Sequence, residues 1–214
     1  MPRVNHSRRT NKSIDKWLSA AEVYELTTAK TWPYKTNMDF YFARDKAMMA
    51  IDFVGAFRNN EVLKTLKKSN FEDTPAWLIL KGGKISKRSR KLLDKYGARI
   101  SMRDNISFPK FRHPLQPFTD LVLDYLELLQ QDTALFPFSE RRHHQIVSCV
   151  TGKWVHWLRA MGENWYGHNV FINDPVSLAK FVGVVNVQSV MGYTGFDEAS
   201  YLSRLKASSL TDRH

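Results

Sequence analysis

The sequence predicts an α+β fold, mostly helical with one small β-hairpin sheet, on three observations. Apolar residues recur at helical spacing in several separate stretches; a lone strand-like run, Trp77–Leu80, meets a Gly82-Gly83 pair; and neither a repeat nor a low-complexity linker divides the chain. With 214 residues, 43% of them hydrophobic, one sizeable core can be buried, which excludes wholesale disorder.

Residues 1–16 contain Arg3, Arg8, Arg9 and Lys12 with no acid before Asp15. That pattern reads as a flexible basic arm able to lie along phosphates, or equally as a solubilising tail. Ser19-Ala-Ala-Glu22 has capping-box spacing, in which the Ser side chain and the Glu side chain each satisfy a free backbone N–H, so a helix is predicted over 20–29. A second helix over 43–55 carries Ala47, Met48, Ile51 and Val54 at helical spacing, and a third begins near Asn60 with Val62, Leu63 and Leu66. The run Trp77–Leu80 then leads into Lys81-Gly82-Gly83-Lys84, a tight turn that puts lysines at a hairpin tip. Residues 85–91, with Lys87, Arg88 and Arg90, are too basic for burial and form either the exposed return strand or the start of a helix reaching Tyr96. Prolines and scattered basic residues predict a loop over 101–117. An amphipathic helix over 118–130 follows, then one capped by Ser139 and running to about Val150. Further helix is expected over 153–162, 176–182 and 186–191.

Lys and Arg number 32 against 21 Asp and Glu, a net charge of +11 that favours a polyanionic partner, nucleic acid before an anionic membrane surface. The single cysteine, Cys149, excludes an internal disulfide and a multi-cysteine zinc site and fits a reducing compartment. No apolar run approaches a membrane span, and the polar, basic N-terminus has no signal-peptide core. The expectation is a soluble, cytoplasmic protein without a membrane partner.

Taken singly, the reactive residue types have ordinary structural explanations. Arg58 and Glu61 have the spacing of a surface helix ion pair. His156 and Arg159 share a helical face beside Trp154, Val155, Trp157 and Leu158, where histidine is usually structural. Tyr193 and Tyr201 fit half-buried core phenols. His143 and His144 diverge around a helix and, with His168, lack an acidic ligand cluster, so no metal and no cofactor are expected.

Their order along the chain carries more. Leu18-Ser-Ala-Ala-Glu22-Val, then Gly55-Ala-Phe-Arg58-Asn-Asn-Glu61, Lys81-Gly-Gly-Lys84, His156-Trp-Leu-Arg159, and Val190-Met-Gly192-Tyr193 followed by Tyr201 resemble, in this order, the catalytic domain of the tyrosine recombinase (phage integrase) family. The resemblance spans residues 17–205, leaving 1–16 as the arm and 206–214 as a C-terminal tail. The chain departs from the family pattern at four points. One extra residue separates Gly55 from Arg58, Tyr193 stands where the family has His or Trp, the interval to Tyr201 is one residue short, and residues 163–175 look like an insertion. The family's usual core-binding domain is not expected ahead of residue 17.

The resemblance implies that Tyr201 attacks the scissile phosphorus, leaving a 3′-phosphotyrosyl link and a free 5′-hydroxyl that later attacks back. Arg58 and Arg159 would offer forked, charge-assisted donors to the non-bridging oxygens, and Lys81, or Lys84 if the hairpin register slips, would protonate the leaving oxygen. His156 would bond the phosphate or help deprotonate Tyr201, Glu61 would orient its neighbours, and Tyr193 would donate one hydrogen bond to a phosphate oxygen. No metal or other cofactor enters this scheme. The implied partners are double-stranded DNA, contacted also by Arg3, Arg8, Arg9, Lys87, Arg88 and Arg90, and further copies of the chain assembled on it. Two alternatives remain: a non-catalytic DNA-binding accessory protein with a degenerate recombinase fold, and a relaxase resembling type IB topoisomerases.

Overall fold

The computed structural model describes residues 17–58, 66–81, 105–184 and 187–194. Within them the order is helix α1 (Ala20–Thr28), α2 (Met38–Val54), strands β1 (Phe71–Asp73), β2 (Trp77–Leu80) and β3 (Ile106–Pro109), then α3 (Gln116–Leu128), α4 (Glu140–Thr151), α5 (His156–Asn169) and α6 (Pro175–Phe181), ending in two 3₁₀ turns, Val187–Ser189 and Met191–Tyr193. The mostly helical α+β class is as the sequence predicts. None of these helices is long and apolar enough to cross a membrane.

Local chemistry sets the ends of the helices. Ser19 caps α1 in a complete capping box with Glu22, and Ser139 caps α4 by accepting the Arg142 N–H. Helix α2 starts five residues before the predicted Ala43, because the apolar pattern there is broken by Asp39 and the Asn37 cap is in the left-handed region at φ 50°. From Arg44 to Val54 every residue of α2 is buried except Lys46, so this helix is the axis of the core. It packs against α1, α3 and α5. Phe53 meets Phe118 of α3 at 4.8 Å between ring centroids, and Tyr24 of α1 meets the same ring edge-on at 5.5 Å.

Polar residues inside this core are paired. The Arg44 guanidinium bonds Asp45 at 2.8 Å and lies over the rings of Tyr41 and Phe138, each 4.8 Å away. The Tyr34 hydroxyl donates to the same carboxylate at 2.5 Å, pinning the segment between α1 and α2. Further along α2, the fully buried His143 of α4 bonds Asp52 at 2.6 Å.

The sheet differs from the predicted hairpin. All pairing is antiparallel in the order β1-β2-β3, with Leu78 opposite Asp73 on one side and Phe108 on the other. Both edges of β2 are therefore occupied, by β1 and by Ile106–Pro109; residues 85–91, read as a return strand or the start of a helix, lie outside the described residues. The closing turn seen is Thr74–Trp77, where the Thr74 hydroxyl donates to the Trp77 carbonyl at 2.7 Å and Pro75 takes the position that favours a fixed φ. The predicted loop over 101–117 thus contains a strand: Ile106 and Phe108 point inward while Ser107 is exposed. The Thr119 hydroxyl ties β3 to α3 through the Pro109 carbonyl at 2.8 Å.

Two further corrections fall near the C-terminal end. The helix expected over 153–162 runs instead as α5 from His156 to Asn169, into the segment 163–175 read as an insertion, and α6 begins at Pro175. The expected helix over 186–191 is replaced by the two 3₁₀ turns. Two glycines of α5 mark close backbone crossings. A Cβ on Gly162 would collide with the Phe53 carbonyl oxygen, and one on Gly167 with that of Tyr193, so both sit where another backbone crosses the helix closely. Gly162→Ala should push α5 off α2 and cost about 1–3 kcal/mol, the usual range for overpacking, read as a lower urea midpoint in a two-state melt.

Candidate functional site

The site is built where α2 ends. Gly55 closes the helix, and Ala56 turns left-handed at φ 45°, a conformation that disfavours a side chain. The Phe57 N–H reaches back to the Asp52 carbonyl at 3.3 Å. The residue that lengthens the Gly55–Arg58 interval is absorbed in this turn. It points the Ala56 carbonyl at Arg159 and delivers Arg58 to the end of α6.

Arg159 is nearly buried, in the first turn of α5. One of its nitrogens donates to the Ala56 carbonyl at 2.6 Å, another to the Val182 carbonyl at 3.3 Å, and the latter also pairs with Glu163 one turn on at 2.7 Å. The Arg58 guanidinium makes a long bond, 3.4 Å, to the carbonyl of Gly183. Val182 and Gly183 follow α6 directly, so both guanidiniums converge on the carbonyl-rich, partially negative end of one short helix. Arg58 and Arg159 thus reach neighbouring carbonyls at the end of α6.

Tyr193 lies beside this pair. Its phenol is half-buried, its ring meets Trp17 edge-on at 5.6 Å, and its backbone packs on Gly167. Burial first, and then the Glu163 carboxylate, push its pKa up to about 12, against an opposing pull from Arg159. It is a neutral donor across the physiological range. His156 opens α5 and is exposed at its surface; its ring approaches those of Trp154 and His144, at 6.1 and 6.4 Å. Its pKa is lowered by partial burial of the ring, then by His144 and Arg159, so it is mostly neutral at pH 7.

Lys81 sits at the exposed end of β2, with its backbone N–H on the Asn70 carbonyl at 2.9 Å. No described contact joins its side chain to the two arginines. Tyr201, Glu61, Lys84, Lys87, Arg88, Arg90 and the arm residues Arg3, Arg8 and Arg9 lie outside the described residues. Glu163 is the site residue that the sequence reading missed. Its signal was the i, i+4 spacing to Arg159, hidden when the helix was ended at Gly162. Among the described residues no group of three or more His, Cys, Asp or Glu could hold a metal ion.

The fold, mostly helical with a small three-stranded antiparallel sheet, is tyrosine-recombinase-like. Among solved structures, the chain is similar to the XerH site-specific recombinase bound to difH substrate in a pre-cleavage complex. That likeness has a TM-score of 0.57 and 16% identity over 95% of this chain and 57% of that one. The post-cleavage complex of XerH on a palindromic difH substrate gives a TM-score of 0.54 and 17% identity over 93% and 55%. The chain thus spans little more than half the length of those proteins. No protein-family model matches the sequence, and no curated protein matches it.

Tyr34 and Tyr125, like Tyr193, have pKa values raised from 10.0 to about 12, in each case chiefly by burial. The folded chain holds these three protons more tightly than the unfolded chain does, so their contribution to stability is complete below pH 10 and is lost as pH rises towards 12. Urea midpoints measured across that window should fall, in step with the phenolate absorbance of the unfolding protein.

Proposed function

We propose that this chain is the catalytic domain of a DNA recombinase that cuts and rejoins strands through a 3′-phosphotyrosyl intermediate. The observation that carries the proposal is the convergence of Arg58 and Arg159 at the end of α6, with the neutral Tyr193 phenol alongside. It gains weight from the likeness in fold to a recombinase bound to its DNA before and after cleavage.

Cleavage by a side chain that stays attached conserves the energy of the phosphodiester bond for rejoining. Tyr201 is the nucleophile in this scheme: its oxygen bonds to phosphorus while the 5′-oxygen departs. Lys81, on the segment leaving β2, gives that oxygen its proton, Lys84 being the alternative donor. Negative charge gathering on the non-bridging oxygens is met by the guanidiniums of Arg58 and Arg159 and by the Tyr193 hydroxyl. His156, neutral, accepts the Tyr201 proton or bonds a phosphate oxygen. Glu61 orients its neighbours. The partner is double-stranded DNA, gripped also by the basic residues of the arm and of 85–91, with several copies of the chain assembled on it through the C-terminal tail, inside the cell.

The test is covalent trapping. Wild-type protein incubated with nicked duplexes and with fragmented genomic DNA should leave a protein–DNA adduct on a denaturing gel, abolished by Tyr201→Phe and reduced at least tenfold by Arg159→Gln. Salt-sensitive binding without an adduct would favour the non-catalytic DNA-binding protein, and relaxation of supercoils without strand exchange the topoisomerase-like enzyme. The net charge of +11 predicts that DNA affinity falls steeply between low and moderate salt through counterion release; a flat response in a filter-binding titration would remove DNA as the partner.

A further inference from the structure

Trp17 is a large side chain that the core leaves 42% exposed, while its neighbour Leu18 packs against the core. Its indole meets the ring of Tyr193 instead, edge-on at 82° with the centroids 5.6 Å apart, so the two ends of the described chain touch here. The capping box of Ser19 and Glu22 fixes how the chain enters α1, which presents Trp17 from a rigid start. On the other side of the contact the backbone is also held. The Tyr193 N–H donates to the Val190 carbonyl at 3.0 Å, the Tyr193 carbonyl lies against Gly167, and the Thr194 carbonyl accepts the Asn173 N–H at 3.2 Å. A held backbone still leaves the side chain several staggered rotamers, and Tyr193 is only partly buried. Where its hydroxyl points therefore depends on what packs against the ring.

We propose that Trp17 is a positioning residue for Tyr193: its indole edge holds the phenol in the orientation that offers the hydroxyl to a phosphate oxygen, and covers the ring from water. The inference rests on the reading of Tyr193 as a site residue and adds the residue that aims it. An aromatic partner suits the task because an edge-to-face contact sets the tilt of the ring, which an aliphatic side chain does not. A hydroxyl fixed beforehand needs no ordering when the phosphate arrives, so the benefit falls on the chemical step and not on DNA binding. Burial is the chief cause of the raised pKa of Tyr193, and Trp17 supplies part of that cover.

Single-turnover adduct formation at saturating DNA tests this in a double-mutant cycle. Trp17→Ala should slow the step about fivefold, the worth of one aromatic pair, with DNA affinity little changed, and Trp17→Phe should restore most of the rate. In a Tyr193→Phe background Trp17→Ala should add nothing further. An unchanged rate in Trp17→Ala, an equal loss in both backgrounds, or a loss that lies wholly in DNA affinity overturns the proposal. Nitration of Tyr193 by tetranitromethane, followed by mass spectrometry, gives a second readout that needs no DNA. It should speed up severalfold in Trp17→Ala and stay near the wild-type rate in Trp17→Phe; a rate unmoved in Trp17→Ala also overturns the proposal. If Trp17→Ala does not fold, Trp17→Leu takes its place in both measurements, because it lacks the ring edge and covers less of the phenol. Failure of the wild type to form any adduct would count against the recombinase reading alone, because nitration still reports whether Trp17 holds the Tyr193 ring.

Discussion

One buried guanidinium ties the described structure together. Arg159 reaches from α5 to the carbonyl that ends α2 and to the carbonyl that ends α6, while Glu163 compensates its charge from its own helix. A guanidinium suits this work because its planar fork offers donors in several fixed directions and keeps its charge at any physiological pH. The carbonyls it meets are those a helix end leaves without intrahelical partners, so bringing it there satisfies both sides. Lysine at this position would supply charge without the geometry that links three elements.

That link depends on close backbone approach, which is a sequence requirement of a different kind. Helix α5 can bring Arg159 to Ala56 because Gly162, one turn further along, lets the α2 backbone pass at Phe53. It can hold Tyr193 because Gly167 does the same for the 3₁₀ turn. The left-handed Ala56 adds backbone strain at the same junction. Strain and close packing here have a common result: the two arginines are held in place by rigid backbone before any ligand arrives, so less ordering is left to be done on binding.

Much of this was legible in the sequence, because the signals are local. The Ser19 capping box, the Ser139 cap, the apolar periodicity of α3 and the apolar run Trp77–Leu80 each act within a few residues. The ordered motif set singled out Arg58 and Arg159, whose guanidiniums both reach carbonyls at the end of α6. What failed depended on contacts distant in sequence. Ile106–Pro109 is a strand only because β2 lies beside it, and β1, short and acidic, exists only as the third strand of that sheet. Helix α5 runs past Gly162, a residue that sequence reading treats as a helix end and that here meets the α2 backbone. The Asp52–His143 pair was invisible for the same reason: the two residues are 91 apart in the chain, and each taken alone looks like an exposed polar position.

The arginines raise a question of balance that the proposed chemistry must meet. In the described state Arg159 already has a carboxylate and two carbonyls, and Arg58 a long bond to a third carbonyl. A phosphate entering the site therefore does not encounter bare cations; it competes with neutral carbonyls and with Glu163. Carbonyl dipoles are the weaker competitors, since an anionic oxygen makes a charge-assisted bond about twice as strong as a neutral one. Glu163 is the stronger, and it also raises the pKa of Tyr193, keeping that phenol a donor. The same carboxylate thus withholds part of the charge of Arg159 and secures a neutral hydrogen bond beside it. Under the proposed function, the advantage of that arrangement grows as the transition state gathers charge on the phosphate oxygens, because the pull on Arg159 strengthens while its bond to Glu163 does not.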